Sequence, residues 1–245
     1  MSKPIIGVIS NRNINEEGRT FQNTTNFSSL VCESIYNMGG IPIGIFFPNN
    51  KFDIDLLKLC DGFVFQGGSK IETSQILAAN YAVSNRIPLL GICNGMQTLA
   101  GEDYALQNLK YITSDNLKLL IKNEEHFLYK VDNHNKNNPF YIQNIEGCKH
   151  NINISKYSRL YDLIREKNKL VTSVHEYAVK DELLHNSSDF FVSARSDDGV
   201  IEAIETRDPN YFCLGVQYHP ELDYTDNVLF INLVNESRKQ KVLKR

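Results

Sequence analysis

Apolar residues in the first hundred positions gather into short runs separated by stretches of helical spacing. Pro4–Ser10, Ile41–Phe47, Gly62–Gln66 and Ile87–Ile92 read as strands, and the alternation of strand and helix is the signature of a parallel sheet covered by helices. After Thr25, the residues Phe27, Leu30, Val31, Ile35 and Met38 recur at helical spacing until Gly39-Gly40 stops the helix, which predicts a stripe facing the core. Between Gly101 and Gly147 the pattern blurs into Asn-rich, charged sequence, most strongly at Asp132–Asn138, and reads as surface loops and an excursion from the sheet. Further strands are expected at Lys149–Ile154, Leu170–Ser173, Phe190–Arg195, Val200–Glu205 and Tyr211–Gln217, followed by a helix from about Thr225 with a solvated basic end, Arg238–Arg245. No internal repeat or linker interrupts the series. The expectation is one α/β domain over residues 1–245, with a mixed, mostly parallel sheet flanked by helices.

Composition agrees with one sizeable core, since 42% of the 245 residues are apolar. The net charge of −3 gives no electrostatic case for nucleic acid or an anionic membrane, and a small-molecule or peptide-like substrate is the better expectation. No run approaches the roughly 18 apolar residues of a membrane span, and MSKPIIGVIS reads as a first strand rather than a signal peptide. A cytoplasmic location is therefore expected. The cysteines at 32, 60, 93, 148 and 213 are odd in number and form no CxxC pair, so they are expected as free thiols. Neither a metal motif nor a nucleotide-binding loop occurs, and no cofactor or metal is expected.

The chemistry-bearing segment is Ile87-Pro-Leu-Leu-Gly-Ile-Cys-Asn-Gly-Met-Gln97, an apolar strand entering Gly91-x-Cys93-x-Gly95 and then a helix. This is the nucleophile-elbow pattern with cysteine in place of serine. Small residues on either side let strand and helix approach, and the following helix N-terminus favours a thiolate at Cys93. Two further strand ends complete the set. Phe65-Gln-Gly-Gly68 places paired glycines where a backbone N–H, with that of Asn94, could form an oxyanion hole. In Leu214-Gly-Val-Gln-Tyr-His-Pro-Glu221, an extended His-Pro-Glu would put His219 and Glu221 on one side, the carboxylate holding the imidazole towards the thiol.

Taken in this order, the three segments resemble the class I glutamine amidotransferases, a flavodoxin-like fold, and within them the branch of γ-glutamyl-γ-aminobutyrate hydrolase and other γ-glutamyl peptidases (peptidase C26-like). The likeness runs through Pro4-Ile-Ile-Gly-Val, Met38-Gly-Gly-Ile-Pro, Asp61-Gly-Phe-Val, the elbow, Val171-Thr-Ser-Val-His175, Ala194–Ala203 and Gly215–Glu221. The resemblance implies a Cys93-His219-Glu221 triad, an oxyanion hole at Gly68 and Asn94, and a γ-glutamyl-binding Gln97. It sets Gly67, His175, Glu176 and Tyr177 beside the substrate. His150 matches a strand start of no assigned role.

Departures from that pattern fall on the pocket wall. Gln66 stands for a usual proline and Asn94 for a frequent arginine, only Ser69 and Lys70 precede a helix starting near Glu72, and Thr172 and Glu176 replace more common types. A Gly-Gly-Thr-Leu segment expected after the elbow gives way to Gly101-Glu-Asp-Tyr-Ala-Leu106. The leading expectation is a free-standing hydrolase that cleaves a small γ-glutamyl amide through a thioester. The alternatives are a glutaminase subunit feeding ammonia to a separate synthase partner, and a non-catalytic binding module on the same fold. No fused synthase sequence is seen, which leans to the hydrolase. A homodimer and the identity of the leaving amine stay open.

Overall fold

The computed structural model describes residues 2–13, 24–132, 134, 148–223 and 226–243. In chain order these form β1 (Ile5–Ile9), β2 (Asn11–Asn13), β3 (Thr24–Asn26), α1 (Ser29–Asn37), β4 (Ile41–Ile45), α2 (Ile54–Lys58), β5 (Gly62–Phe65), α3 (Thr73–Ser84), β6 (Leu89–Ile92) and α4 (Asn94–Asn108). There follow α5 (Ser114–Ile121), β7 (Leu128–Lys130), β8 (Lys149–Ile154), α6 (Arg159–Ile164), β9 (Asn168–Thr172), β10 (Tyr177–Val179), α7 (Asp181–His185), β11 (Phe190–Ser196), β12 (Ile201–Thr206), β13 (Cys213–Val216) and α8 (Asn227–Leu243).

Among the described residues, nine strands make one sheet in the order β4-β1-β5-β6-β13-β12-β11-β8-β9. Pairing is parallel from β4 to β13 and antiparallel from β13 to β9. Both faces of the parallel half are covered, so its strands bury every second side chain on each side. Ile9, Phe63, Phe65 and Leu89 face one core with α3, α4 and α5. Ile6, Val8, Val64, Leu90, Ile92 and Val216 face the other, with α1, α6 and α8. The expected mixed, mostly parallel sheet between helices is thus what forms.

Three local expectations need correction. The stretch from Gly101 is not loop at its start: α4 runs on to Asn108, α5 follows, and β7 pairs with β10 in a separate two-stranded ribbon. Its helices were hidden because α4 buries polar residues, Gln97, Thr98, Glu102 and Asp103 among them, so apolar periodicity is weak. Most of Asp132–Asn138, and all of 135–147, lies outside the described residues. The stripe of α1 is core only in part, since Val31 and Ile35 are buried whereas Phe27 and Leu30 are exposed. Finally, His-Pro-Glu is not extended, because Pro220–Leu222 forms a 3-10 turn with the proline in its first position, where a fixed φ near −65° fits.

Candidate active site

The parallel strands β5, β6 and β13 end side by side, and the expected site residues lie just beyond them. Cys93 follows β6 and caps α4, with φ 52 and ψ −107. A side chain rarely adopts that backbone, and such strain persists only where the surroundings impose it. Here close packing of strand on helix imposes it. A Cβ on Gly95 would lie 1.9 Å from the Phe65 carbonyl oxygen, and one on Gly91 would lie 2.8 Å from the Gly95 backbone.

Cys93 is nearly buried, 7% exposed, and its Sγ lies 3.8 Å from the Val174 carbonyl oxygen. Gln217 Nε2 donates to the same sulfur at 3.6 Å. His219, just past β13, holds Glu221 Oε1 at 2.8 Å through Nδ1. That bond leaves Nε2 for the thiol. Burial opposes a charged imidazole, but the Glu221 carboxylate and the adjacent Cys93 outweigh it and hold the His219 pKa well above its ordinary value. The backbone N–H of His219 donates to the Thr172 carbonyl at 2.8 Å, which ties the imidazole to the end of β9.

Gly67 and Gly68 follow β5. A Cβ on Gly67 would lie 2.8 Å from His219 Cε1 and 3.6 Å from Cys93 Cβ, so this glycine leaves room for the imidazole and faces the thiol. Asn11 packs against Gly68, donates from Nδ2 to the Gly67 carbonyl, and accepts at Oδ1 from Gln75 Nε2 at 3.1 Å. The short connection to α3 is as expected, and Glu72 and Gln75 close it as a reciprocal cap. Asn94 is the first residue of α4, at a helix end whose early N–H groups lack intrahelical partners.

The other expected residues divide. Gln97 is buried and donates to the Tyr177 carbonyl at 2.8 Å and to Gln217 Oε1 at 3.2 Å. Tyr177 therefore meets the site through its backbone carbonyl, while the residue as a whole is 40% exposed. Glu176 is exposed at the same rim. The imidazole of His175 points away from the sulfur, towards His134 and Glu202, and it is the carbonyl of the preceding Val174 that meets the thiol.

The family model of Peptidase C26 matches residues 72–221, well over half of the chain and from before the elbow to Glu221. The chain belongs to the Peptidase C26 family. A glutamine amidotransferase-like protein of Rickettsia prowazekii is 27% identical over 96% of this C26 chain and 98% of its own length. A CTP synthase of Methanosphaera stadtmanae is 26% identical over 79% of this chain and 37% of its own, so the chain spans about a third of the CTP synthases it matches. Among solved structures, the glutaminase domain of Trypanosoma brucei CTPS with bound acivicin superposes with a TM-score of 0.66 at 18% identity, covering 96% of this chain and 94% of that one. A glutamine amidotransferase of Thermotoga maritima superposes with a TM-score of 0.56 at 12% identity, over 100% and 94% of the two chains. These likenesses establish the class I glutamine amidotransferase fold for this C26 protein.

Sequence reasoning missed three contributors. Gln217 stood inside the quoted Gly215–Glu221 segment, and its period-2 relation to His219 was the available signal. Asn11 and the Val174 carbonyl carried none, because their roles depend on long-range packing.

Proposed function

We propose that this protein cleaves a γ-glutamyl amide through a γ-glutamyl thioester on Cys93. The observation that carries the reading is the meeting of a strained elbow cysteine with an imidazole already held by a carboxylate, Cys93 beside His219-Glu221. The sulfur attacks the amide carbon while His219 holds the proton taken from the thiol, and the N–H groups at Gly68 and Asn94 take the developing oxyanion. Collapse breaks the C–N bond, and His219 passes its proton to the leaving amine. His219 then accepts a proton from water, which attacks the thioester and releases glutamate with return of the thiol. Glu221 orients the ring throughout.

For the leaving group, the short connection after Gly68 and the exposed rim at Glu176 support an amine larger than ammonia, whose contacts can be used to lower the barrier. Glu176 there favours a cationic portion of the substrate. The likeness to CTP synthases supports a second reading, in which glutamine is the substrate and ammonia passes to a synthase partner. One experiment separates them: kcat/KM for glutamine and a panel of γ-glutamyl amines, with and without an added synthase. The hydrolase reading expects a larger amide to be the best substrate in the chain alone, and Glu176→Gln to weaken a cationic one selectively. Preference for glutamine, or activity only with the synthase, makes the second reading the right one.

A further inference from the structure

Behind the wall of the thiol pocket, one buried cluster holds more hydrogen-bond acceptors than donors. Glu202 on β12 is fully buried, and its Oε1 lies 3.0 Å from His150 Nε2, 3.4 Å from His134 Nδ1 and 3.4 Å from His175 Nε2. His134 Nδ1 and His175 Nε2 stand 3.0 Å apart. The outer nitrogens decide the tautomers. His175 Nδ1 faces the Tyr177 carbonyl at 3.0 Å, and His134 Nε2 faces Asp198 Oδ2 at 3.0 Å. A carbonyl and a carboxylate only accept, so each outer nitrogen carries the ring hydrogen. In the neutral rings, the inner nitrogens then present bare lone pairs to one another and to a carboxylate oxygen. His150 Nε2 and both Glu202 oxygens are, in addition, buried without a well-formed hydrogen bond.

With the His134 and His175 hydrogens turned outward, only His150 Nε2 is left to donate inward, and lone pairs this short of donors mark a place for a cation. We propose that His134, His150 and Glu202 bind one divalent metal ion of the zinc class, with His175 Nε2 beside them, 3.4 Å from Glu202 Oε1. Ligand atoms of the first three lie within 4.8 Å of one another. Tetrahedral bonds of about 2.0–2.1 Å place ligand atoms roughly 3.3–3.4 Å apart, and Glu202 Oε1 lies 3.0 Å from His150 Nε2 and 3.4 Å from His134 Nδ1, so a small adjustment of the His134 and His150 rings would seat the ion. Imidazole nitrogens with one carboxylate suit zinc better than magnesium or calcium. Asp198 and the Tyr177 carbonyl are the kind of outer partner that ligating histidines take, and they aim the rings inward. The ion would stand behind the 174–177 segment and not at the thiol, so its role is structural. Its work is to fasten the 174–177 segment, which supplies the carbonyls facing Cys93 and Gln97, onto β8 and β12. The four residues span 134 to 202 with no ligand-motif spacing, which is why no metal was expected from sequence.

The test uses the full chain carrying Cys93→Ala, so that the thiol cannot take metal itself. After stripping with a chelator and reloading with zinc, elemental analysis of the gel-filtered protein should find about one equivalent. Cobalt in place of zinc should give the visible absorption of a four-coordinate ion, and either metal should raise Tm. Adding His150→Ala or His134→Ala should remove both the retained metal and the cobalt spectrum. Should those variants fail to fold, the histidine ring nitrogens of the parent, followed by NMR, should shift on adding zinc at positions 134, 150 and 175. A folded chain that retains no metal, gives no cobalt spectrum and shows no ring shifts overturns the site, as does binding that survives His150→Ala.

Discussion

Cys93 is held in a backbone conformation that costs about 1–3 kcal/mol for a residue with a side chain, and the return on that strain is a sulfur presented at a helix N-terminus beside an imidazole. Under the proposed mechanism, Cys93→Ala and His219→Ala should each lower kcat/KM by on the order of 10⁴-fold or more, whereas Glu221→Gln should be about 100-fold milder. The same charge argument sets a pH test. Because Glu221 is the leading influence raising the His219 pKa, its neutral replacement should let the ring proton leave at lower pH. The alkaline limb of kcat/KM should therefore move to lower pH in Glu221→Gln, and an unmoved limb would assign that limb to another group. Gly67 offers a purely steric counterpart. A Cβ 2.8 Å from His219 Cε1 must displace the ring, so Gly67→Ala should cost about 10²-fold in kcat with little change in Tm. Normal turnover in that variant would separate the imidazole from the chemistry.

The central strands and the elbow were legible in the sequence because their apolar runs are continuous and because Gly-x-Cys-x-Gly demands one local shape. What stayed hidden is of another kind. α4 buries Glu102 against Asn80 of α3 and Asp103 against Ser187 just past α7, so its sequence reads as polar and loop-like although the helix is among the most enclosed in the molecule. The cluster at Glu202 was equally invisible, since its members come from four places in the chain. Glu102 has a thermodynamic signature. Burial pushes its carboxyl up to about 8, against a hydrogen bond from Asn80 Nδ2 at 3.0 Å. The folded state thus binds this proton more tightly than the unfolded chain, and the stability it lends is lost as pH rises from the ordinary glutamate range towards 8. Glu102→Gln removes that dependence. It should be more stable than the parent at pH 8 by on the order of a few kcal/mol, with the difference closing towards pH 4, as read from urea midpoints across that range. A constant difference at all pH values would place the proton elsewhere.

At the scale of the molecule, the candidate site belongs to no single stretch of chain, since Gly67, Cys93 and His219 follow β5, β6 and β13. Separation in sequence makes such contacts slow to form, because loop closure precedes the contacts that reward it. In refolding from denaturant, preferential alkylation of Cys93 should accordingly return later than helical circular dichroism, and simultaneous recovery would show that the elbow forms without β13.

The position of β13, wedged between β6 and β12, also bears on how the protein is made. About 120 residues separate Ile92 from Cys213, which at roughly 5–20 residues per second is about 6–24 s of synthesis. Throughout that interval the emerging chain carries β6 with one flank unpaired, an apolar edge open to any strand nearby. The ribosome-bound intermediate, rather than the finished fold, is then the form most exposed to aggregation and most dependent on chaperones.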